Sequence, residues 1–198
     1  RLMDHQEKLH FSLGRRRHRA SIGVHDLAKL APPFRVVSVE RKHSFIPLAM
    51  DKEMSIEEIL TEHPKGIDYA HLLQGMDNVP IILDSNNDVL SFPPIINGDH
   101  TTVTTNTRDI FIDVTGWDLR ACESSLMLIC LQLAKLGGRI ESVRVSSHDD
   151  KEWIIDGTPI EHKVERNMLE EILGNPFSDE EIGNAISRMG GIYNGENN

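Results

Sequence analysis

Residues 109–116 read Asp-Ile-Phe-Ile-Asp-Val-Thr-Gly, and this stretch decides the fold class. Successive side chains of a strand point to opposite faces, so the two isoleucines and the valine share one apolar face. The other face carries Phe111, Asp113 and Thr115, and Gly116 ends the strand. The stretch therefore predicts a half-buried strand that presents a carboxylate and a hydroxyl side by side. The alternative is a strand whose polar face simply meets solvent.

The segments around this strand predict an α+β fold with mixed sheets and packed helices. Asp118 is placed to cap a helix that ends before Gly137-Gly138, and a strand follows at residues 140–146, which resembles a βαβ crossover. Upstream, residues 79–83 and 89–92 flank a polar loop, as in a β-hairpin. Other predicted strands are residues 20–24, 34–40 and 153–155. Predicted helices include residues 1–13, a capped helix at 55–62, and two short helices near 164–173 and 178–189.

Composition excludes several classes of function. The chain has 198 residues, with 21 Lys and Arg against 31 Asp and Glu, and its net charge of −10 disfavours a whole-chain nucleic-acid binder. No apolar stretch approaches the roughly 20 residues of a membrane span. Two cysteines cannot form a disulfide framework, so we expect a reducing, cytoplasmic location.

Common catalytic motifs are absent from the sequence. It has no phosphate loop, no dinucleotide-binding GxGxxG and no CxxC, HExxH or GxSxG, and its ten histidines lack metal-ligand spacing. We therefore expect no cofactor in this chain. The basic run at residues 15–19 has two interpretations, a contact with RNA phosphate or a loop of structural arginines. The acidic net charge favours the second.

Two strings resemble the β subunits of phenylalanyl-tRNA synthetases of the archaeal and eukaryotic-cytosolic type. Residues 91–97 read Ser-Phe-Pro-Pro-Ile-Ile-Asn, and residues 107–116 read Thr-Arg-Asp-Ile-Phe-Ile-Asp-Val-Thr-Gly. Supporting strings in the family's order are Gln-Glu-Lys-Leu-His at 6–10, Ala-Ser-Ile-Gly-Val-His-Asp at 20–26, Phe-Ile-Pro-Leu at 45–48 and His-Pro-Lys-Gly at 63–66. The resemblance covers roughly residues 1–150.

This resemblance implies a proofreading role within phenylalanine–tRNA ligase. Residues 1–157 would form the editing domain, and residues 158–198 the truncated start of a winged-helix-like domain. The family's enzyme is an (αβ)₂ heterotetramer whose α subunit uses ATP and Mg²⁺ to charge the phenylalanine tRNA, and nothing here matches that ligase site. The chain itself would hydrolyse Tyr wrongly attached to that tRNA.

The resemblance also implies the site residues. Ser91, Asp113 and Thr115 match the family's editing pocket, with Asp113 and Thr115 as the catalytic pair. Apolar walls would come from Leu83, Leu90 and Phe111. Thr115 and backbone N–H groups near Asn97 and Gly98 would position water or the ester carbonyl. Because no Cys or His is placed as a nucleophile, we expect direct attack by water, helped by the free ribose hydroxyl. His100 is a weaker candidate base.

The competing hypothesis is a non-catalytic module for RNA docking or subunit assembly. An editing pocket should place Asp113, Thr115 and Ser91 around one cavity, whereas a docking module should disperse them or satisfy them internally. A third hypothesis, nucleic-acid binding by the C-terminal helices, is opposed by the acidic run at residues 179–181.

Overall fold

The computed structural model describes residues 2–147, 151–155 and 161–195, without the side chains of residues 153–155. The chain divides into two units, residues 1–154 and 155–198. The predicted domain boundary at 157/158 lies outside the described residues. The winged-helix-like character of the second unit stays a prediction.

Strands and helices both occur in the chain, as the predicted α+β fold requires. The strands are β1 Ser21–Asp26, β2 Arg35–Glu40, β3 Ser44–Phe45, β4 Met54–Ser55, β5 Asn78–Leu83, β6 Val89–Phe92, β7 Ile96–Asn97, β8 Ile110–Thr115, β9 Val143–Ser146 and β10 Glu152–Ile155. The helices are α1 Leu2–Phe11, α2 Ile56–Glu62, α3 Pro64–Tyr69, α4 Leu119–Lys135, α5 Arg166–Leu173 and α6 Asp179–Arg188. No helix in the described part of the chain combines the length and apolar character that a membrane crossing requires.

Strand pairing confirms the fold class but not the predicted crossover. One sheet has the order β2-β5-β6-β7, and its neighbours pair antiparallel, including the predicted β5–β6 hairpin. β8 pairs antiparallel with β1, while β9 pairs with β10. The βαβ prediction is therefore wrong, because α4 connects two strands that belong to different sheets. The sequence pattern of residues 109–146 predicted a strand, a helix and a second strand, but it did not predict which strands these two would pair with.

The β1–β8 ribbon separates two environments. Its apolar face, with Ile22, Val24 and the even-numbered residues of β8, packs against Leu9 of α1 and Ile129 of α4. Its other face turns Phe111 toward a cluster that contains Leu27, Leu30, Phe34, Ile82 and Leu90. The alternation read from the sequence thus assigns the two faces correctly.

Local capping signals explain where the helices begin. Ser55 and Glu58 form the predicted capping box of α2, and Ser178 and Glu181 form that of α6. Asp118 accepts a hydrogen bond from the Ala121 N–H at the start of α4. Each of these side chains satisfies a backbone donor that the first helical turn leaves unpaired.

One buried carboxylate organises the β5–β6 loop. Asp84 is 1% exposed, and its Oδ1 accepts hydrogen bonds from the N–H groups of Asn86 at 2.8 Å and Asp88 at 3.0 Å. Its Oδ2 accepts from the N–H of Ala31 at 3.1 Å, which ties the hairpin to the segment before β2. An ionised carboxylate that accepts several backbone donors is well suited to a buried position.

We expect Asp84→Ala to lower the free energy of unfolding by about 2–3 kcal/mol, because three backbone donors lose their acceptor. Urea denaturation followed by circular dichroism measures this change. Asp88→Ala is the matched control, since Asp88 is exposed and contributes only its backbone to the network. Equal losses in the two variants would contradict the assigned role of Asp84.

His10 is a buried histidine that stays neutral at pH 7. Burial, followed by repulsion from Arg17, lowers the pKa of His10 to about 4, although Glu7 partly opposes the shift. The ring Nε2 accepts a hydrogen bond from the Ile22 N–H at 2.9 Å, which links α1 to β1. Protonation of His10 at this nitrogen would break that link.

Acidification from pH 7 toward pH 4 should therefore lower the free energy of unfolding. The unfolded chain takes up a proton near pH 6.5, whereas the folded chain resists it until about pH 4, so the stability difference is lost across that window. His63, whose pKa is also lowered by burial, contributes in the same direction. Denaturation curves at pH 7 and pH 5 should differ less for His10→Gln than for the parent chain. An unchanged difference would contradict this account of His10.

Candidate functional site

A cavity of about 210 Å³ lies beside β1, between α1 and the turn that joins β6 to β7. Its wall includes Gln6 and Glu7 of α1, residues 21–24 of β1, Ser91 of β6 and Asn97 of β7. A 3₁₀ turn at Asp99–Thr101 brings Thr101 to the same wall. The cavity therefore draws its polar groups from elements that are far apart in sequence.

Two of the predicted site residues line this cavity. Ser91 is 4% exposed, and its Oγ donates a hydrogen bond to Asn97 Oδ1 at 3.3 Å. Ser91 and Asn97 are directly paired in the β6–β7 register, which holds the two side chains at one position along the wall. The string Ser-Phe-Pro-Pro-Ile-Ile-Asn forms this hairpin, so its two ends meet at the cavity.

Asp113 lies next to the cavity but is not part of its wall. It pairs with Gly23 across the β1–β8 ribbon, and Gly23 does line the cavity. A Cβ at position 23 would lie 2.0 Å from Asp113 Oδ1 and 2.7 Å from His25 Nε2. The missing side chain of Gly23 thus makes the space through which the Asp113 carboxylate crosses the ribbon to His25.

His25 joins Asp113 to the cavity wall. Its Nε2 lies 2.7 Å from Asp113 Oδ1, and its Nδ1 lies 2.8 Å from Thr101 Oγ1. His25 is fully buried, while the Asp113 side chain keeps 10% of its surface exposed. Among the described residues no donor contacts Asp113 Oδ2, so this oxygen remains able to accept a hydrogen bond from a ligand.

Thr115 and the apolar residues occupy other positions. Thr115 is half-buried and lies off the cavity wall, although Ser21, its partner at the end of the ribbon, lines the cavity. Phe111 packs on Phe34, with ring centroids 4.4 Å apart, in the cluster that holds Leu90. Leu83 belongs to the larger core with Val89 and Phe92. The structure therefore brings Ser91 and Asn97 together on the cavity wall, whereas Asp113 and Thr115 lie off that wall and the predicted apolar residues lie in two packed clusters.

Gly98 differs from its predicted use as a backbone donor. Its N–H donates to Leu90 O at 2.7 Å, so this group is occupied by the fold and unavailable to an ester carbonyl. A Cβ at position 98 would lie 2.1 Å from Val89 O, which explains the need for glycine. The Gly98 carbonyl accepts a hydrogen bond from Thr101 Oγ1 at 3.0 Å. His100 is exposed and lies off the wall.

Arg17 of the basic run has a structural role, in line with the second interpretation, while the other arginines of the run are exposed. Arg17 is 9% exposed, and its Nη1 donates to the carbonyls of Ile95 at 2.8 Å and Pro94 at 3.0 Å. Its Nη2 donates to Glu7 Oε1 at 3.3 Å, and its guanidinium stacks 4.5 Å from the Tyr69 ring centroid. Burial would raise the pKa of Glu7, but Arg17, His10 and Lys65 outweigh it and lower that pKa. Arg17 thus fixes the cavity rim from inside the protein.

Sequence reasoning missed His25 and Thr101. The predicted strand ended at Val24, and His25 was assigned to the following segment, although β1 continues to Asp26. Extending the alternation by two residues would have placed His25 on the face of Gly23, and the β1–β8 register makes this the same face that carries Phe111, Asp113 and Thr115. Thr101 carried no signal, because its position depends on a turn formed after Gly98.

Other reactive side chains do not form a second centre. Burial raises the pKa of the Cys122 and Cys130 thiols, with Asp118 and Glu123 adding to the effect at Cys122. Both thiols are therefore poor nucleophiles at neutral pH. The described residues contain no group of three or more His, Cys, Asp or Glu side chains arranged to hold a metal ion.

We expect Gly23→Ala to displace Asp113 and lower the free energy of unfolding by about 1–3 kcal/mol, because the added methyl overlaps the carboxylate. Asp113→Ala should then cost less stability in the Gly23→Ala background than in the parent, since removing the carboxylate also relieves its overlap with the added methyl. Urea denaturation of the four chains measures this double-mutant cycle. Additive losses would show that residues 23 and 113 do not compete for the same space.

Comparison with known proteins identifies the family. The B3/4 domain family model matches residues 1–132. The chain is 47% identical over 189 residues to the phenylalanine–tRNA ligase β subunit of Methanosarcina barkeri, covering 95% of this chain and 35% of that protein. It is 45% identical over 188 residues to the β subunit of Archaeoglobus fulgidus, covering 95% of this chain and 34% of that protein. The chain thus spans about a third of the length of these curated relatives.

A solved structure extends the match to the fold. The crystal structure of an N-terminal fragment of the phenylalanyl-tRNA synthetase β subunit from Pyrococcus horikoshii superposes with a TM-score of 0.88 at 39% identity. The match covers 98% of this chain and 55% of that chain. The resemblance found in residues 91–97 and 107–116 is therefore confirmed, and the chain belongs to the B3/4 domain family found in phenylalanine–tRNA ligase β subunits.

Proposed function

We propose that this chain is the proofreading part of a phenylalanine–tRNA ligase, where it hydrolyses Tyr wrongly attached to the phenylalanine tRNA. The observation that carries the proposal is the cavity walled by Ser91 and Asn97, whose wall also includes Gly23, the ribbon partner of Asp113. Family membership supports the assignment to the ligase. The cavity supports a separate small-molecule site within this part of the β subunit.

The need for such a site follows from the similarity of Phe and Tyr. A ligase active site shaped for the apolar ring of Phe cannot strongly reject the same ring carrying one hydroxyl. The preference for Phe over Tyr at such a site is on the order of 10². A second site can instead recognise the hydroxyl with a polar partner. A buried partner left unmatched by Phe costs about 1–3 kcal/mol, so the correct product is spared.

The size of the cavity fits an amino acid. A cavity needs a volume of only about 10–15 Å³ to hold a single water, so 210 Å³ is far more than one water or ion occupies. It is also below the roughly 300–1,000 Å³ of sites for drug-sized ligands. The aminoacyl group would enter, while the tRNA strand would remain outside.

The polar groups around the cavity support recognition of the ester. Asp113 Oδ2 is free to accept a hydrogen bond from the phenol or the α-ammonium group, because His25 engages only Oδ1. Ser91 and Asn97 supply a hydroxyl and an amide on the cavity wall. Thr115 enters the proposal as a neighbour of Asp113 on the same strand face, reached only if the ligand extends along the ribbon.

The proposed reaction is direct hydrolysis. A water oxygen bonds to the ester carbonyl carbon, the bond from that carbon to the ribose oxygen breaks, and the ribose oxygen takes up a proton. The free neighbouring ribose hydroxyl assists by positioning the water, and the protein supplies orientation and hydrogen bonds. No covalent intermediate is needed, because the cysteine thiols are protonated and the cavity wall contains no cysteine.

In this proposal the ligase reaction takes place on a different subunit. ATP and Mg²⁺ serve the ligase reaction on the α subunit, in an (αβ)₂ assembly in the cytoplasm. The described residues do not form a metal-binding cluster, and no step of the proposed hydrolysis passes through a metal. Phenylalanine tRNA is the proposed nucleic-acid partner.

Deacylation of Tyr-charged phenylalanine tRNA tests the function. In the full synthetase, we expect Asp113→Ala to lower the rate by roughly 10- to 100-fold, because a hydrogen bond to a charged group is lost. Ser91→Ala should lower it by a smaller factor, and Thr115→Ala should do so only if the ligand reaches the end of the ribbon. Release of radiolabelled Tyr measures the rate.

Charging with Phe is the internal control, and Asp88→Ala is a matched carboxylate variant. Asp88 is exposed and lies outside the cavity wall. Full deacylation by both Asp113→Ala and Ser91→Ala would contradict an editing site here. That result would favour the docking or assembly module, for which the internal Asp113–His25 contact is an expected feature.

A further inference from the structure

Asp113, His25 and Thr101 are joined by hydrogen bonds, and the donor and acceptor of each bond can be assigned. An ionised carboxylate only accepts hydrogen bonds, so His25 Nε2 carries a proton and donates it to Asp113 Oδ1. The other ring nitrogen, Nδ1, faces Thr101 Oγ1 at 2.8 Å. The state of Nδ1 then decides how the hydroxyl proton of Thr101 is used.

Both states of His25 have the same consequence for Thr101. If the ring is neutral, Nδ1 accepts a hydrogen bond from the Thr101 hydroxyl. If the ring is cationic, Nδ1 donates to Thr101 Oγ1, and Thr101 donates to the Gly98 carbonyl 3.0 Å away. In either state the single hydroxyl proton of Thr101 is used within the protein. Thr101 can therefore only accept a hydrogen bond from a molecule in the cavity.

The fold holds this arrangement firmly. Thr101 is 1% exposed and His25 fully buried, so neither side chain can turn to solvent for another partner. The 3₁₀ turn fixes the Thr101 backbone, and Gly23 leaves the space that lets Asp113 reach His25. Thr101 is the last of the three hydrogen-bonded side chains, and it is also part of the cavity wall. A group on a rigid wall that can only accept discriminates between donors and non-donors.

We propose that Thr101 is a substrate-binding residue that accepts a hydrogen bond from the aminoacyl group, and that His25 is the positioning residue that fixes its hydroxyl. This inference rests on the proposed editing function and adds two residues to its site. The ligand chemistry it names is an N–H or O–H donor on the amino acid. The two possible sources are the α-ammonium group and the Tyr phenol.

The test compares Thr101→Val with Thr101→Ser in the full synthetase, with Tyr- and Phe-charged phenylalanine tRNA as substrates. Valine keeps the shape and removes the acceptor, so kcat/KM for the Tyr ester should fall roughly 10- to 100-fold, mainly through KM. Serine keeps the hydroxyl and should restore most of the rate. Thr101→Ala serves as a second variant without the hydroxyl if valine impairs folding, and charging with Phe monitors the integrity of each enzyme.

The two substrates separate the two sources of the donor. If the phenol is bound, Thr101→Val slows only the Tyr ester, whereas binding of the α-ammonium group predicts an equal loss for both esters. Either pattern supports the proposal. Parental kinetics for Thr101→Val and Thr101→Ala, or an equal loss in Thr101→Ser, would overturn it.

His25 is tested by its coupling to Thr101. His25→Phe should slow the Tyr ester, and combining it with Thr101→Val should cost little more than the larger single loss, since both act through one hydrogen-bonded chain. Multiplicative losses would overturn the positioning role. A parent enzyme that leaves the Tyr ester intact overturns the proposed function together with this inference. An active parent with unaffected variants overturns the inference alone.

Discussion

The pairing of Gly23 with Asp113 across the β1–β8 ribbon is the constraint on which the site depends. In an antiparallel pair, directly opposed side chains compete for the same space, and glycine removes one competitor. Asp113 can then lie across the ribbon and reach His25, two residues further along β1. The apolar face of the same ribbon is held by α1 and α4, so the polar contacts are built on a rigid support.

Local signals in the sequence predicted most elements, because the interactions that form them are local. The capping boxes at Ser55 and Ser178, the β5–β6 hairpin and the alternation of residues 110–115 each lie within a few residues. The strand partner of β8 could not be predicted this way, since its pairing with β1 joins residues about 90 positions apart, such as Gly23 and Asp113. That long range is why the crossover prediction was wrong.

The site shows the same division. Ser91 and Asn97 were predicted together and do meet, because a short hairpin joins them. The predicted walls at Leu83, Leu90 and Phe111 were assigned without knowing which face of each strand met the cavity, and the structure packs them into clusters. His25 and Thr101 become neighbours through the tertiary fold, so neither drew attention as part of a linear motif. Thr115 and Asp113 stay candidates whose roles depend on kinetics.

The surface of α4 affects how the molecule behaves in solution. Leu128 and Leu131 on this helix are 41% and 61% exposed, and Trp117 before it is 80% exposed. Apolar area of this kind favours self-association, while a net charge of −10 opposes it through repulsion between molecules. Added salt screens the repulsion and leaves the apolar attraction in place, so colloidal stability of the chain should be greatest at low ionic strength.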